Sequence, residues 1–399
     1  MQSRSFLILI LAGGLISLLA MGSRAAFGLF LEPVSTDLGW GREIFGLALA
    51  IQNIVWGLSQ PFASMIADKY GSGKTLFVSA LVYSAGLFMM SQTTTEAGLH
   101  LSAGLMIGLG LSGTGFGVVI GSVGRAVSEE KRSMALGIVG AAGSLGQFIM
   151  VPLGQAFLSE YGWSMALILI GFCSLLMIPA SAAVRGKAED SAAAGALNLT
   201  AAIREAAGNR SYWLLFMGFF VCGFHVTFLA VHLPAYIVDK HVGAEYGAIA
   251  LSIVGFFNVI GSLTAGYLGG KFSKKYLLSS LYFARSALFV AFILIPISPL
   301  TIMIFSAILG LLWLSTVPLT SGLVAVLFGP KYMTTLFGFV FFGHQIGAFL
   351  GAWLGGFVFD LYGSYDVVWW ISVALGLISA LLHWPIKETA LIRSAGAVG

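Results

Sequence analysis

The chain has 399 residues, 58% of them apolar or aromatic and only 9% charged, against roughly a quarter charged in an average soluble domain. With a mean hydropathy of +0.96, a compact soluble body of this length has too few charges to cover its apolar surface, so its solvent must be lipid. The formal net charge is +4, and the two cysteines, Cys173 and Cys222, both lie inside apolar runs, which excludes a disulfide scaffold and a cysteine-rich zinc site.

About twelve apolar stretches follow one another, each roughly 18 to 27 residues and so long enough to cross about 30 Å of hydrocarbon as a helix. They fall at 6–31, 44–67, 75–93, 99–124, 134–158, 163–184, 212–238, 246–269, 276–296, 300–328, 334–359 and 367–385. The first has only Arg4 ahead of it, lacks a small-residue cleavage site and runs on past Arg24. It reads as a retained span rather than a signal peptide. An even count puts both ends of the chain on one side. About sixteen of the 20 Lys and Arg fall on that side, among them Lys69, Lys74, Arg125, Lys131, Arg132, Arg185, Lys271 and Lys275, against Arg42 and Lys240 opposite. The positive-inside bias makes the side that holds both termini cytoplasmic, in a cell (inner) membrane. Arg24 and Arg285 are left inside spans.

The longest polar stretch, 185–210, separates an N-terminal six-span half, 1–184, from a C-terminal half with a short tail, 211–399. A repeat supports the division: SMIADKYGSGK after the second span is echoed by GYLGGKFSKK after the eighth. Repeated halves flanking a midplane cavity are a common architecture of secondary transporters. The glycine runs GLGLSGTGFG and GSGK do not make a nucleotide loop, because the first lies in an apolar span with no strand before it and the second lacks the required spacing.

SMIADKYGSGK resembles the loop signature of the major facilitator superfamily. Ser64 replaces the usual first glycine, Asp68, Lys69 and Gly71 match, and Lys74 is the remaining later basic position; in the second copy Gly270 stands where the acid would be. The resemblance covers essentially the whole chain and implies an all-α membrane protein, with twelve transmembrane helices in two pseudo-symmetric six-helix bundles, monomeric by default. It also implies a conformational latch at this loop, with Asp68 accepting from Arg125 or Arg132. The segments GSRAAFGLFLEPVSTDLGW, AAGSLGQFIMVPLGQ, HLPAYIVD and WLSTVPLTSGLVAVLFGPKY are similar to bacterial members of the monocarboxylate and oxalate/formate branch. That branch implies small carboxylates moved with a proton or by exchange. By this resemblance Arg24 takes the place of a substrate-associated lysine, whereas Asn258 and Ser262 replace an Asp and Arg pair, so that pair does not carry over.

The charges lead to the same substrate class independently. A charged side chain near the bilayer middle is costly and tends to face a wet cavity. Arg285 lies about ten residues into its span, roughly 15 Å along a helix. No Asp or Glu lies at comparable depth to it or to Arg24, since Glu32 and Asp37 fall near the outer end. Unpaired guanidiniums favour anions and pair bidentately with carboxylate. The alternative for Arg285 is a bond to backbone carbonyls at a broken helix, or to neighbouring spans through Asn258 or Gln147. His225 and His232 share a helical face, and His344 stands beside Gln345. His225 and His344 are candidates to bind the carboxylate or carry a proton, with Glu32 a further acceptor; the alternative is an imidazole bonded to a neighbouring carbonyl. Gln147, Asn258 and Gln345 are candidate lining residues, with Asn53 an addition.

The expected function is secondary active transport of small organic anions, monocarboxylates first, by alternating access with proton symport. Anion exchange is the alternative mechanism, and a membrane-embedded sensor or lipid-acting enzyme the alternative class. No cofactor, metal or nucleic-acid partner is expected, and no catalytic residues.

Overall fold

The structure, a computed structural model, describes residues 3–127, 129–184, 199–329 and 333–390. All regular elements among them are helical. Helix α1 (Ser3–Ala25) tightens into a 3-10 turn, Ala26–Phe30, and continues as α2 (Leu31–Leu38). The first span is thus longer than its apolar run. Pro33 does not end it, because proline fits the first turn of a helix, where its missing N–H has no partner to lose.

Helix α3 (Arg42–Tyr70) is followed by α4 (Ser72–Ser91). Gly71 between them has φ 102°, and its N–H closes on the Ala67 carbonyl at 3.0 Å, so the glycine of the loop signature supplies a conformation other residues rarely adopt. The fourth span is assembled from α5 (Glu96–Leu99), a π-helical stretch His100–Met106, α6 (Ile107–Thr114) and α7 (Phe116–Ala126), broken at extended Gly115. Helix α8 (Glu129–Leu175) breaks at Gly162 and is followed by α9 (Met177–Ser181). The other half contains α10 (Leu199–Ala207), α11 (Arg210–Asp239), α12 (Glu245–Lys271), α13 (Lys274–Leu294), α14 (Pro299–Leu312), α15 (Thr316–Phe328), α16 (Met333–Tyr362) and α17 (Asp366–His383). The tenth span is therefore two pieces, α14 and α15.

Ten segments are long and apolar enough to cross a membrane. One of them, Met134–Ser181, has 48 residues, roughly 72 Å of helix at 1.5 Å per residue, and its break at Gly162 makes it two spans. Helix α3 has 29 residues but is made less apolar by Gln52, Asn53 and Gln60; it packs between α6 and α16, which keeps those amides off lipid. Ten, plus one from the split and one for α3, gives twelve crossings among the described residues. Buried apolar side chains form one cluster in 9–184 and another in 206–386, the first also taking in Val231, Ala235, Ala248, Leu251 and Ala352 where the halves meet.

The face with both chain ends is here the terminal face, and the opposite one the far face. At the far face the halves are joined closely. Arg42 at the start of α3 forms a two-bond ion pair with Asp239 at the end of α11, at 2.6 and 2.7 Å, with its guanidinium 3.7 Å from the Phe359 ring centroid. Two N–H groups that open α3, of Arg42 and Glu43, donate to the Asp360 carboxylate at 2.9 and 2.8 Å, and Trp353 donates to Glu43 at 2.9 Å. A Cβ at Gly46 would lie 2.5 Å from the Ala352 carbonyl oxygen, so only glycine permits this approach of α3 to α16. At mid-depth Gln147 donates to the Leu251 carbonyl at 2.8 Å, Asn258 to Ser144 at 2.9 Å, and Trp56 meets Phe341 edge-on at 5.5 Å. The molecule is closed at the far face.

Candidate functional site

Arg24 sits in the last turn of α1, where the deepest contacts between the halves end. Its Nη2 donates to Asn53 Oδ1 at 2.7 Å, its Cζ is 5.2 Å from the Trp56 ring centroid, and its Nε is buried without a partner. Among the described residues no carboxylate comes within ion-pair distance of it. Asn53 is fixed on α3 by its own Nδ2, which donates to the Leu49 carbonyl at 2.8 Å and leaves Oδ1 for the arginine. From there a polar path crosses to the other half: Gln345 Nε2 donates to the Asn53 carbonyl at 2.9 Å, and Gln345 Oε1 is 3.1 Å from His344 Nδ1. The His344 ring lies flat against Phe341 and is 5.0 Å from Phe219. The sequence candidates Arg24, Gln345 and His344 are thus brought together, with Asn53 as the joint.

Arg285 is elsewhere. It is 1% exposed, and its guanidinium donates to the Leu312 and Trp313 carbonyls at the break between α14 and α15, with Nη1 at 3.7 Å from Cys222 Sγ. The last carbonyls of a helix have no N–H of their own and carry its partial negative charge, so a cation at that position is held by both effects. Asn258 holds the same break from the other side, accepting the Leu314 N–H at 3.0 Å while donating to Ser144 across the halves. Gln147 is likewise an interhelical bridge, to the Leu251 carbonyl.

The seventh-span histidines also bond carbonyls. His225 Nε2 is 2.8 Å from the Ser372 carbonyl oxygen, and His232 lies between the Ala352 carbonyl and the Tyr365 hydroxyl at 2.7 and 3.2 Å. Glu32 stands in the first turn of α2, accepting from Thr36 at 3.2 Å. In the loop signature Asp68 pairs with Arg125 at 2.9 Å, and Arg125 also donates to Ser72 at 3.1 Å. Lys69 is exposed, with its ammonium 5.2 Å from the Tyr70 ring. The Arg132 side chain, the central segment 185–198 and the tail 391–399 lie outside the described residues. At the second copy of the loop the carboxylate comes from elsewhere: Glu388, beyond α17, accepts from Ser273 at 2.6 Å and from the Lys274 N–H at 3.0 Å, with the Lys274 ammonium at 3.5 Å. Partial burial works against its charged form, but the bonds from Ser273 and the two lysine amides, and the Lys274 charge, prevail and hold Glu388 below the usual glutamate range.

Sequence reasoning missed the far-face lock. Arg42 was visible as one of two cations on that side, but its partners Asp239 and Asp360 lie 197 and 318 positions away, and no local signal joins them.

The Major Facilitator Superfamily model matches residues 13–352. The chain is 24% identical over 376 residues to the uncharacterized MFS-type transporter YcxA of Bacillus subtilis (strain 168), covering 90% of each. It is 24% identical over 387 residues to monocarboxylate transporter 13 of Bos taurus, covering 92% of this chain and 87% of the relative. Its fold is shared with a D-xylose-proton symporter at a TM-score of 0.75 and 14% identity, over 96% of this chain and 99% of that one. With a family match over most of its length, the chain belongs to the major facilitator superfamily: it is a multi-pass membrane transporter and not an enzyme.

Proposed function

We propose that this transporter carries small organic anions, monocarboxylates first among them, by alternating access between its two halves with proton symport. The observation that carries the reading is Arg24: a cation inside a span, with one amide for company, a buried Nε lacking an acceptor, and no carboxylate in reach among the described residues. A guanidinium so placed gains most from an anion that supplies the missing acceptors. The similarity to monocarboxylate transporter 13 points the same way.

The solute enters from the terminal face, opposite the closed far face and cytoplasmic by the basic loops of the sequence, and pairs with Arg24. Asn53, Gln345 and His344 pass its arrival to the other half, because the same side chains join α3 to α16. Release on the other side requires the far-face lock of Arg42, Asp239 and Asp360 to part. Arg285 and Asn258 fix the break of the tenth span, and the Asp68 and Arg125 pair steadies the terminal-face loop as a latch. His344 is the proton carrier this arrangement favours, since it bonds Gln345 at the site, whereas His225 bonds a main-chain carbonyl and His232 bonds the Ala352 carbonyl and the Tyr365 hydroxyl away from Arg24. Obligatory anion exchange is the second reading, favoured by the lack of a carboxylate beside Arg24 among the described residues.

The test is uptake of radiolabelled lactate, pyruvate, formate and oxalate into liposomes holding the purified protein, with and without an inward-acid pH gradient and with each acid preloaded. Accumulation driven by the gradient without preloading is the expected result. Uptake that needs preloaded anion would establish exchange, and no uptake of any of the four would remove the carboxylate reading.

A further inference from the structure

The fourth span breaks at Gly115. On the α6 side, one of the last four carbonyls, that of Leu111, accepts the Gly115 N–H at 2.7 Å. On the α7 side the first N–H groups have no carbonyl one turn earlier in their own helix, and N-cap Gly115 has no side chain to cap them. Helix α7 runs from mid-membrane to the terminal face, so its partially positive end lies at mid-membrane.

A second, independent feature faces the same break. Trp56 is 5% exposed, and its indole N–H has no acceptor among the described residues. That nitrogen lies 3.2 Å from where a Cβ on Gly115 would stand, in space that only glycine leaves open. One turn further along α3, the Gln60 amide nitrogen is 3.0 Å from where a Gly117 Cβ would stand. The Trp56 indole N–H therefore faces the break with no acceptor among the described residues, near a Gln60 whose buried Oε1 lacks a donor, and the Arg24 guanidinium is 5.2 Å from the Trp56 ring on the same side of the half. A buried donor without an acceptor is costly, and a ligand oxygen relieves that cost.

We propose that the α6–α7 break is a second subsite of the transport site, where Trp56 Nε1 and the first N–H groups of α7 bind an acceptor oxygen of the solute other than the carboxylate held by Arg24. This rests on the anion reading above and deepens it. The solute class it selects is a short carboxylic acid bearing a second acceptor oxygen, over a plain alkyl acid of the same length.

The experiment compares pyruvate with propionate, equal in carbon count and charge, as inhibitors and as radiolabelled substrates of the liposome-reconstituted protein. In the wild type pyruvate should win by about tenfold, the effect of one or two added hydrogen bonds. Trp56→Phe keeps a ring against Phe341 and removes the N–H, and should erase that preference. Equal handling of the two acids by the wild type would overturn the subsite without any variant. So would a Trp56→Phe protein that keeps the preference, or one that loses both acids equally, which is a packing effect. Arg24→Gln separates the two ideas: uptake of both acids surviving that change would sink the anion site itself, whereas loss of both beside an unchanged Trp56→Phe would sink only the subsite.

Discussion

Arg24 and Arg285 each stand inside a span of one half, and among the described residues neither meets a carboxylate, yet their surroundings differ. Arg285 is enclosed by the carbonyl end of α14 and the Cys222 thiol, so its donors are engaged by the protein itself. Arg24 has one bond to Asn53 and a buried Nε with nothing to give to. Burial without a counter-ion is thus compatible with two roles. What separates them is whether a helix end faces the guanidinium, because free carbonyls can stand in for an anion and free N–H groups cannot.

The sharpest way to break this comparison is to remove each charge in turn. Arg24→Ala should cut uptake by about 100-fold, the loss of a charge-assisted contact, while leaving the melting temperature of the purified protein nearly unchanged; near-normal uptake would take Arg24 out of the site. Arg285→Leu should do the opposite, lowering stability by about 2–4 kcal/mol as the Leu312 and Trp313 carbonyls lose their donors, measured by thermal unfolding in detergent. A stable Arg285→Leu protein with no uptake would place both arginines on the solute.

A smaller effect is expected at the far face, where the lock joins the two halves. Asp239→Asn removes the charge that pairs with Arg42 but keeps a hydrogen-bond acceptor, and should favour far-face opening by about 1–2 kcal/mol. Distances between spin labels on the far ends of α3 and α11 would report it, and an unchanged distribution would show that the glycine contacts alone hold that face shut. The smallest effect concerns the two loop copies. Glu388→Gln should cost about 1 kcal/mol of stability. Because Glu388 is held below the ordinary glutamate value, its contribution is complete above that value and is lost as pH falls through the lowered one. The variant should lack this acid-side decline in thermal unfolding measured against pH.

Much of the frame was legible in the sequence. Length and hydropathy gave the spans, since about 20 apolar residues in a row have few other uses, and Gly71 in the loop signature marked a turn that the structure places at φ 102°. The division of the fifth and sixth spans was legible and falls at Gly162, whereas the extension of the first span to Leu38 escaped because helix continuity across polar residues depends on what packs beside them. In the site, Arg24 and Gln345 were legible as polar residues at depth. Their junction at Asn53 was not, for it runs through a main-chain carbonyl that every residue possesses.

By itself the sequence determined a helical, multi-pass membrane protein with two related halves, because each follows from composition, spacing and repetition along the chain. Only the tertiary structure decided which arginine is free and which is enclosed, that Glu388 serves where the second loop lacks its acid, and that Arg42, Asp239 and Asp360 lock one face. Those outcomes depend on which donors and acceptors meet across hundreds of residues, and no periodicity in a single chain records that.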